Sequence, residues 1–317
     1  MYFSFKFKDS EIKISYFVII LPFILTILLS TLLTIDDGKK AKGQCRLGFM
    51  PNVTHATALV GIQKKIFQEE LGKEVDFKPV HFVVGNSIID AFITNQIDVA
   101  YVGPGPYINA LYRKLPIKLL SNAANGGTVI VGVKSPSEGT RVSVPQYGNT
   151  QDLILRNYLF KNNLTKQYKI LAIPPQDTAT AFFTMSIDLA CLPEPWGTIL
   201  TEKGACKMLV DEKEVLNNGN YPVTILVVNE KYAKDNPEHI KKILAAHNRA
   251  NELIKANSDE AIKIVTDAIS KITKKQIDKT IVAKSFKRCF FTNALDQNSL
   301  EEFKSIGIKA GYYKKGF

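Results

Sequence analysis

An internal repeat constrains the fold of this chain more than any other feature of its sequence. The stretch "AFITNQIDVAYVGPGP" at 91–106 returns as "AFFTMSIDLACLPEP" at 181–195, with Ala, Phe, Thr, Ile, Asp and Ala at matching offsets. Each copy has the pattern of a helix end, a buried strand and a proline-rich turn that begins another helix. We therefore expect two similar α/β lobes.

Strands and helices alternate around both copies. Between residues 45 and 133, apolar runs typical of strands alternate with stretches typical of helices, including one helix predicted at 55–72. The alternation then begins again, and an apolar strand predicted at 221–229 precedes a tail, 237–317, with helical spacing. This order predicts mostly parallel sheets with helices on both faces.

The turns that end the two repeated strands are the first candidate ligand contacts. In open α/β sheets, ligands bind outside the carboxyl ends of the strands. If the lobes face each other, the turns at 103–106 and 193–196 lie on opposite walls of one cleft. Glycine lets the backbone approach a ligand closely, and proline begins a helix at little cost. The unpaired amides of the first helical turn then suit an anion.

A third helix start, "YGNTQD" at 147–152, carries more polar residues than a cap needs. Asn149 is expected to be the N-cap and Asp152 to occupy position N3, as in a capping box. Thr150 and Gln151 then remain free to donate hydrogen bonds to a ligand. The charge of Asp152 in the same turn counts against an anion there.

Motifs for enzymes, metals and cofactors are missing from the sequence. It contains no GxSxG, GxxxxGK[ST], HExxH or CxxC motif, and its four histidines form no i,i+4 pair. We therefore expect no enzyme, no metal and no cofactor. His55 is expected to cap or hydrogen-bond at a helix start, and Cys191 to be a buried strand residue. A disulfide between any two of the four cysteines stays open.

The charge of the chain favours small anions over nucleic acid. The formal net charge is +11, which attracts anions at long range. The lysines are nevertheless spread along the chain, and no basic run is interleaved with aromatic residues. We expect no nucleic-acid partner.

An uncharged apolar run at 14–35 predicts contact with a membrane. About 20 such residues suffice for a helix that spans a bilayer. We expect residues 1–42 to form an uncleaved membrane anchor and linker, with a cleaved signal segment as the alternative. In both cases the rest of the chain would lie on the extracytoplasmic side of the membrane.

Five motifs occur in an order that resembles a known family. They are "GFMPNVTHATALVG", "IDVAYVGPGPYINA", "NGGTVIV", "VPQYGNTQDLILRNYL" and "LPEPWGTIL". Over roughly residues 45–310 the chain resembles the substrate-binding proteins of ABC importers for aliphatic sulfonates, taurine and nitrate. The resemblance implies a type II periplasmic-binding-protein fold, with two doubly wound lobes, a cleft and two crossovers. Residues 45–133 and 222–317 would form one lobe, and residues 134–221 the other.

The resemblance also implies a ligand site, which would draw on ten residues: Asn52, Gly105, Pro106, Tyr107, Thr128, Gln146, Thr150, Gln151, Glu194 and Trp196. Among them, Thr150 and Gln151 would donate to the anion together with first-turn amides. Glu194 would take a substrate amine or cap its own helix, and Trp196 would pack on an alkyl tail. The stretch "TMSIDLAC" departs from the family, which often has a glycine before its second Ile-Asp and rarely a cysteine at Cys191. We expect neither departure to touch the predicted donors.

The function that the resemblance implies is capture of a small oxyanion, such as an alkanesulfonate or taurine, by closure of the lobes. Delivery would be to an ABC permease and its ATPase. Nitrate, bicarbonate and a thiamine-pyrimidine precursor are alternative ligands. An enzyme similar to the pyrimidine-precursor synthases of the same fold, and a sensor domain, are less favoured alternatives.

Overall fold

The computed structural model describes residues 2–7, 10–15 and 43–317 of the 317-residue chain. The chain divides into two units, 1–42 and 43–317. Of the predicted anchor at 14–35, Ile14 and Ser15 lie in a strand, and the other residues lie outside the described ranges. The helices within those ranges include none with the length and apolar character needed to cross a membrane.

The described residues contain thirteen strands. In chain order they are β1 (Tyr2–Phe7), β2 (Ser10–Ser15), β3 (Gly43–Phe49), β4 (Val75–His81), β5 (Val99–Val102), β6 (Ile117–Gly126), β7 (Thr128–Gly132), β8 (Arg141–Val144), β9 (Lys169–Ala172), β10 (Leu189–Pro193), β11 (Lys207–Val210), β12 (Pro222–Asn229) and β13 (Cys289–Phe291). Strands β1 and β2 pair with each other in an antiparallel hairpin. The other strands form two sheets.

The described ranges also contain thirteen α-helices. They are α1 (Ala56–Gln63), α2 (Ile66–Leu71), α3 (Gly85–Ile93), α4 (Pro104–Tyr112), α5 (Thr150–Lys161), α6 (Thr178–Phe183), α7 (Trp196–Glu202), α8 (Glu212–Val215), α9 (Glu230–Asp235), α10 (Pro237–Ala256), α11 (Ser258–Thr273), α12 (Lys279–Phe286) and α13 (Gln297–Lys309). The predicted helical tail is confirmed, except that β13 interrupts it.

The first sheet has six strands in the order β13-β6-β12-β5-β3-β4. Strand β3 is parallel to β4 and β5, whereas β12 is antiparallel to β5 and β6. The second sheet has the order β11-β7-β10-β8-β9, with β8 parallel to β9 and β10 and with β7 antiparallel to its neighbours. The prediction of mostly parallel sheets is therefore wrong. The strand that follows each passage between the sheets, β7 in the second sheet and β12 in the first, is antiparallel to its neighbours.

The chain passes between the sheets twice. Strands β6 and β7 belong to different sheets and are separated only by Gly127. Gly126 and Gly127 both have left-handed backbones, with φ of 75° and 68°, which glycine adopts readily. The return lies between β11 and β12. We expected the first lobe to continue to residue 133, but β7 (Thr128–Gly132) already belongs to the second sheet. The division into two lobes remains a prediction.

The predicted helix at 55–72 is interrupted. A 3-10 turn at Val53–His55 leads into α1, and α2 begins after Lys65, whose φ is 57°. The interruption turns Phe67 back against Gly61, where an added Cβ would lie 2.4 Å from the Phe67 ring. Burial of Phe67 therefore outweighs continuation of the helix.

The sequence repeat produces the same contact in both sheets. In the first, an Asp98 carboxylate oxygen accepts from the Arg46 backbone N at 2.8 Å and from Nε at 2.9 Å. In the second, an Asp188 oxygen accepts from the Arg141 N at 3.0 Å and from Nε at 3.3 Å. The Arg141 guanidinium holds the pKa of Asp188 well below its usual range. The repeat is thus a structural one.

Candidate ligand-binding site

A cavity of about 40 Å³ lies where the two sheets meet. Its lining is formed by Met50, Asn52, Thr54, His55, Val83, Val84, Gly85, Gly103, Pro106, Pro145, Asn149, Thr150, Gln151, Pro175, Pro193, Trp196 and Val223. Most of these residues end or follow the parallel strands β3, β4, β5, β8, β9 and β10. This is the edge at which open α/β sheets bind ligands. Among the described lining residues, none has a charged side chain, since His55 is neutral.

The first turn of α5 forms one wall of the cavity. As predicted, the Asn149 side chain caps the helix by accepting from the Asp152 backbone N at 2.9 Å. Asp152 in turn accepts from the Gly148 backbone N at 2.8 Å. The amides of Thr150 and Gln151 precede any intrahelical acceptor and remain able to donate to a ligand.

The Asp152 carboxylate is turned away from the cavity and is fully buried. Besides Gly148, it accepts hydrogen bonds from Arg156 Nε at 3.0 Å and from the Tyr312 hydroxyl at 2.5 Å. Its charge is therefore compensated within the protein. The objection that Asp152 would repel an anion from this turn does not apply to this geometry.

The turn before α4 lies directly against the first turn of α5. The Gly105 backbone N donates to Thr150 Oγ1 at 3.2 Å. A Cβ added to Gly105 would lie 2.6 Å from the Thr150 backbone N, and one added to Gly103 would lie 2.2 Å from Thr150 Oγ1. Both glycines are needed for this close approach of the two helix starts.

Gln151 is partly engaged within the protein. Its Nε2 donates to Thr128 Oγ1 at 3.1 Å, and its Oε1 accepts from Asn149 Nδ2 at 3.4 Å. The Cys191 thiol donates to the Gln151 backbone oxygen at 3.4 Å, so our expectation that Cys191 stays clear of the predicted donors is wrong. The backbone amide of Gln151 is left as its clearest donor toward the cavity.

Asn52 and His55 form the wall after β3. Asn52 Oδ1 accepts from the His55 backbone N at 3.2 Å and from Thr54 Oγ1 at 2.9 Å. The His55 ring accepts from the Met50 backbone N through Nδ1 at 3.2 Å, as expected of a residue at a helix start. Burial lowers the pKa of His55 to about 3, so the ring is neutral.

Glu194 is fully buried and does not line the cavity. Its carboxylate accepts from Thr198 Oγ1 at 2.8 Å, from the Thr198 backbone N at 3.2 Å and from Ser285 Oγ at 3.0 Å. Arg288 lies 3.6 Å away, while burial raises the pKa of Glu194. Two roles are predicted for Glu194. Its bond with the Thr198 backbone N fits the role of a cap for its own helix, α7.

Gln146 lies at the rim of the cavity. Its Oε1 accepts from the Asn86 backbone N at 3.2 Å, and Asn86 Nδ2 donates to the Tyr147 backbone oxygen at 3.2 Å. These bonds join the first turn of α3 to the loop after β8. Asn86 and Gln146 lie next in sequence to the lining residues Gly85 and Pro145.

Half of the ten predicted site residues line the cavity, namely Asn52, Pro106, Thr150, Gln151 and Trp196. Gly105 and Thr128 lie one hydrogen bond behind that lining, and Tyr107 packs in the core of the first sheet. Ligand contact stays a prediction for all ten. The twelve other lining residues were not among the ten: Met50, Thr54, His55, Val83, Val84, Gly85, Gly103, Pro145, Asn149, Pro175, Pro193 and Val223. The signal that could have found most of them is their position at or just after the end of a strand.

A second pocket of about 200 Å³ adjoins the cavity. The two share Met50, Asn52, Val83 and Trp196, and the second is otherwise lined by Pro51, His81, Phe82, Gln176, Ile272, Thr273 and Lys275. Trp196 is partly exposed and is the single tryptophan of the chain. It thus separates a small polar cavity from a larger, more apolar space.

The four cysteines are buried and unpaired, which answers the open question of a disulfide. Burial raises the pKa of the Cys45 thiol to about 12 and also raises that of Cys191. Neither thiol is an activated nucleophile. Within the described ranges, no group of three or more His, Cys, Asp and Glu residues could hold a metal ion.

Comparison with known proteins links this geometry to a family. The sequence model of the NMT1-like family matches residues 38–270. An aliphatic sulfonates-binding protein of Bacillus subtilis is 23% identical over 260 residues, which cover 78% of this chain and 74% of the relative.

Two solved structures have the same fold. The alkanesulfonate-binding protein of Xanthomonas axonopodis pv. citri, solved with MOPS, has a TM-score of 0.72 at 16% identity and covers 86% of this chain and 94% of its own. The nitrate-binding protein of Synechocystis PCC 6803 has a TM-score of 0.73 at 16% identity and covers 86% and 83%. The predicted type II periplasmic-binding-protein fold is confirmed. These relatives are all named as binding proteins, which supports the expectation that the chain is not an enzyme.

Proposed function

The chain belongs to the NMT1-like family, and from this premise we propose that it is an extracytoplasmic solute-binding protein of an ABC importer. It captures a small oxyanion, of which an aliphatic sulfonate such as an alkanesulfonate or taurine fits best. Closure of the two lobes holds the anion, and a permease with its ATPase takes it up. The segment at 14–35 tethers the protein to the membrane or directs its export.

The observation that carries the proposal is the make-up of the cavity. The groups along its wall include the first-turn backbone N–H groups of α5, the Thr150 hydroxyl and the Asn52 side-chain amide. No carboxylate among the described lining residues competes with an anion. A helix N-terminus with unpaired amides favours negative charge. A volume of about 40 Å³ admits a head group of a few atoms, since one water needs roughly 10–15 Å³.

The pocket beside Trp196 favours an anion with a tail. An alkyl chain that leaves the small cavity past Trp196 would enter the adjoining space of about 200 Å³. Nitrate is the second candidate, because the cavity itself fits an anion without a tail. Bicarbonate is a tail-less oxyanion of similar size and is an alternative on the same ground as nitrate, whereas a thiamine-pyrimidine precursor exceeds the polar cavity.

Intrinsic fluorescence of Trp196 tests the proposal. Titration of the full-length protein in detergent with methanesulfonate, pentanesulfonate, taurine, nitrate and bicarbonate should change the emission. We expect a Kd in the micromolar range, which corresponds to roughly 8 kcal/mol, for at least one sulfonate. If pentanesulfonate binds more tightly than methanesulfonate, the tail lies beside Trp196.

Variants of Thr150 locate the site. Thr150→Ala should weaken the best probe by about tenfold, because it removes a hydroxyl donor, whereas Thr150→Ser should restore most of the affinity. Binding of no anion by the folded protein would contradict the proposed function. Unchanged affinity in Thr150→Ala would remove Thr150 from the site and leave the function standing.

A further inference from the structure

The side chain of His55 has a buried nitrogen without a partner. The residue is 1% exposed, its Nδ1 accepts from the Met50 backbone N, and its Nε2 has no hydrogen-bond partner among the described residues. His55 is one of the residues that line the small cavity. Of the buried side-chain polar atoms without a partner in the described ranges, Nε2 of His55 is the one that belongs to a cavity-lining residue.

The contact with Met50 determines which ring nitrogen carries the proton. Because the Met50 N–H donates to Nδ1, that nitrogen is unprotonated, and the neutral ring carries its hydrogen on Nε2. No charged side chain among the described lining residues faces the ring, and burial lowers its pKa to about 3. His55 is therefore a neutral donor throughout the physiological pH range.

A buried donor without an acceptor destabilises a protein, and such groups are rare in native structures. The cavity that His55 lines is polar and has room for a ligand atom that could accept this hydrogen bond. We propose that the Nε2–H of His55 donates a hydrogen bond to an oxygen of the bound anion. This inference rests on the proposed function and deepens it, since it makes His55 a specificity-determining contact and not only a residue at a helix start.

Two substitutions separate the two nitrogens of the ring. His55→Asn retains an acceptor at the same number of bonds from Cβ as Nδ1, so it can still accept from Met50, but its N–H donor lies one bond closer to Cβ than Nε2 does and falls short of that position. His55→Gln places an amide N–H at the same number of bonds as Nε2 and loses the acceptor for Met50. The first variant therefore isolates loss of the donor, and the second isolates loss of the structural bond.

The two variants should rank in opposite order for ligand affinity and for thermal stability. Against the best of methanesulfonate, taurine and nitrate, His55→Asn should bind about 10- to 100-fold more weakly than the wild type, as expected for loss of a hydrogen bond to a charged group. His55→Gln should bind more tightly than His55→Asn although its Tm is lower. The wild-type Kd should stay constant between pH 5 and 8, because His55 does not titrate there.

The outcomes distinguish the inference from the function. If the wild type binds a probe and His55→Asn binds it within twofold, the inference is overturned and the proposed function stands. Tighter binding on acidification through pH 6.5 that disappears in His55→Asn but persists in a His81→Asn variant would also overturn it, since it would require a cationic His55 ring. Wild-type protein that binds none of the probes would overturn the function and the inference together.

NMR of the wild type decides the matter if His55→Asn does not fold. In full-length protein labelled with ¹⁵N-histidine, the His55 signals should show the proton on Nε2, and the Nε2–H resonance should shift when the probe is added. A proton on Nδ1, or an Nε2–H resonance that does not move at saturating probe, would overturn the inference.

Discussion

Asp152 shows how a carboxylate can stand in the first turn of a helix whose start lines an uncharged cavity. Three donors, from Gly148, Arg156 and Tyr312, converge on it, and it is fully buried. Tyr312 comes from the segment after α13, far from α5 in sequence. The electrostatics of this cavity-lining turn thus depend on residues that do not line the cavity.

Two neighbouring tyrosines provide a test of this arrangement. Tyr312 donates to Asp152, whereas the buried hydroxyl of Tyr313 has no partner among the described residues. Tyr312→Phe should lower the free energy of unfolding by about 1.5 kcal/mol, because it removes a hydrogen bond to a charged group. Tyr313→Phe is the matched control and should change stability by less than about 0.5 kcal/mol or raise it. Urea denaturation measures both, and equal losses would contradict the assignment.

At the residue scale, the sequence predicted caps better than ligand contacts. Asn149 and Asp152 take their capping positions because those contacts span only a few residues. The partners of Gln151 and Glu194 could not be predicted in the same way. Thr128 and Ser285 reach them only through the tertiary fold.

At the scale of elements, the two Ile-Asp strands are anchored by equivalent ion pairs. Asp98 and Asp188 each follow a helix end and bind both the backbone N and the guanidinium of an arginine on a parallel neighbour, Arg46 or Arg141. Each pair therefore fixes the register of β5 or β10 against the adjacent strand. The turns that face the cavity begin at the other ends of these strands.

Asp188→Asn should expose this role. The Asp188 side chain is 3% exposed and accepts hydrogen bonds from the Thr140 and Arg141 backbone N, while the Arg141 guanidinium remains partly solvated, so we expect a loss of roughly 1.5–3 kcal/mol in the free energy of unfolding at pH 7, as for hydrogen bonds to a charged group. Because the pKa of Asp188 is lowered in the folded state, its contribution is present above the unfolded pKa near 3.9 and is lost as the pH falls through the folded pKa.

The difference in the free energy of unfolding between wild type and Asp188→Asn should therefore become smaller below about pH 4. Denaturation curves at pH 7 and pH 3 measure it. Asp76→Asn is the control, because Asp76 pairs with Lys78 on an exposed surface and should change stability little. A difference that stays constant with pH would contradict the role of the carboxylate.

The order of strands and helices could be predicted from the sequence because the spacing of apolar residues and the turn and cap residues between elements are local features. The antiparallel members of the sheets could not, since β7 and β12 join their sheets by crossings that carry no local pattern. The break at Lys65 was hidden for another reason. Helical spacing continues across it, and only the packing of Phe67 on Gly61 shows why the helix stops.

On the scale of the whole molecule, hydrogen bonds link the two sheets beside the cavity. Gly105 contacts Thr150, and Asn86 contacts Gln146 and Tyr147, so residues attached to the first sheet bond to residues attached to the second. Under the proposed function, a ligand leaves only after such bonds break.

Gln146→Ala should therefore speed release more than it slows capture. Loss of one neutral hydrogen bond at the rim, worth about 1 kcal/mol, should raise the dissociation rate of the best anion about fivefold with little change in the association rate. Stopped-flow fluorescence of Trp196 measures both rates. Gln167→Ala is the control, because Gln167 bonds to Gly139 away from the cavity. A faster release in both variants, or in neither, would contradict a closing role for Gln146.

The absence of charged side chains among the described cavity residues has a consequence for how the protein works with its net charge of +11. Under the proposed function, the lysines act over distances that dissolved salt screens, so they would govern how often an anion arrives. The enclosed dipoles act at contact, where salt does not reach, so they would govern how long it stays. Arrival and residence time would then depend on different parts of the molecule, and each could change in evolution without the other.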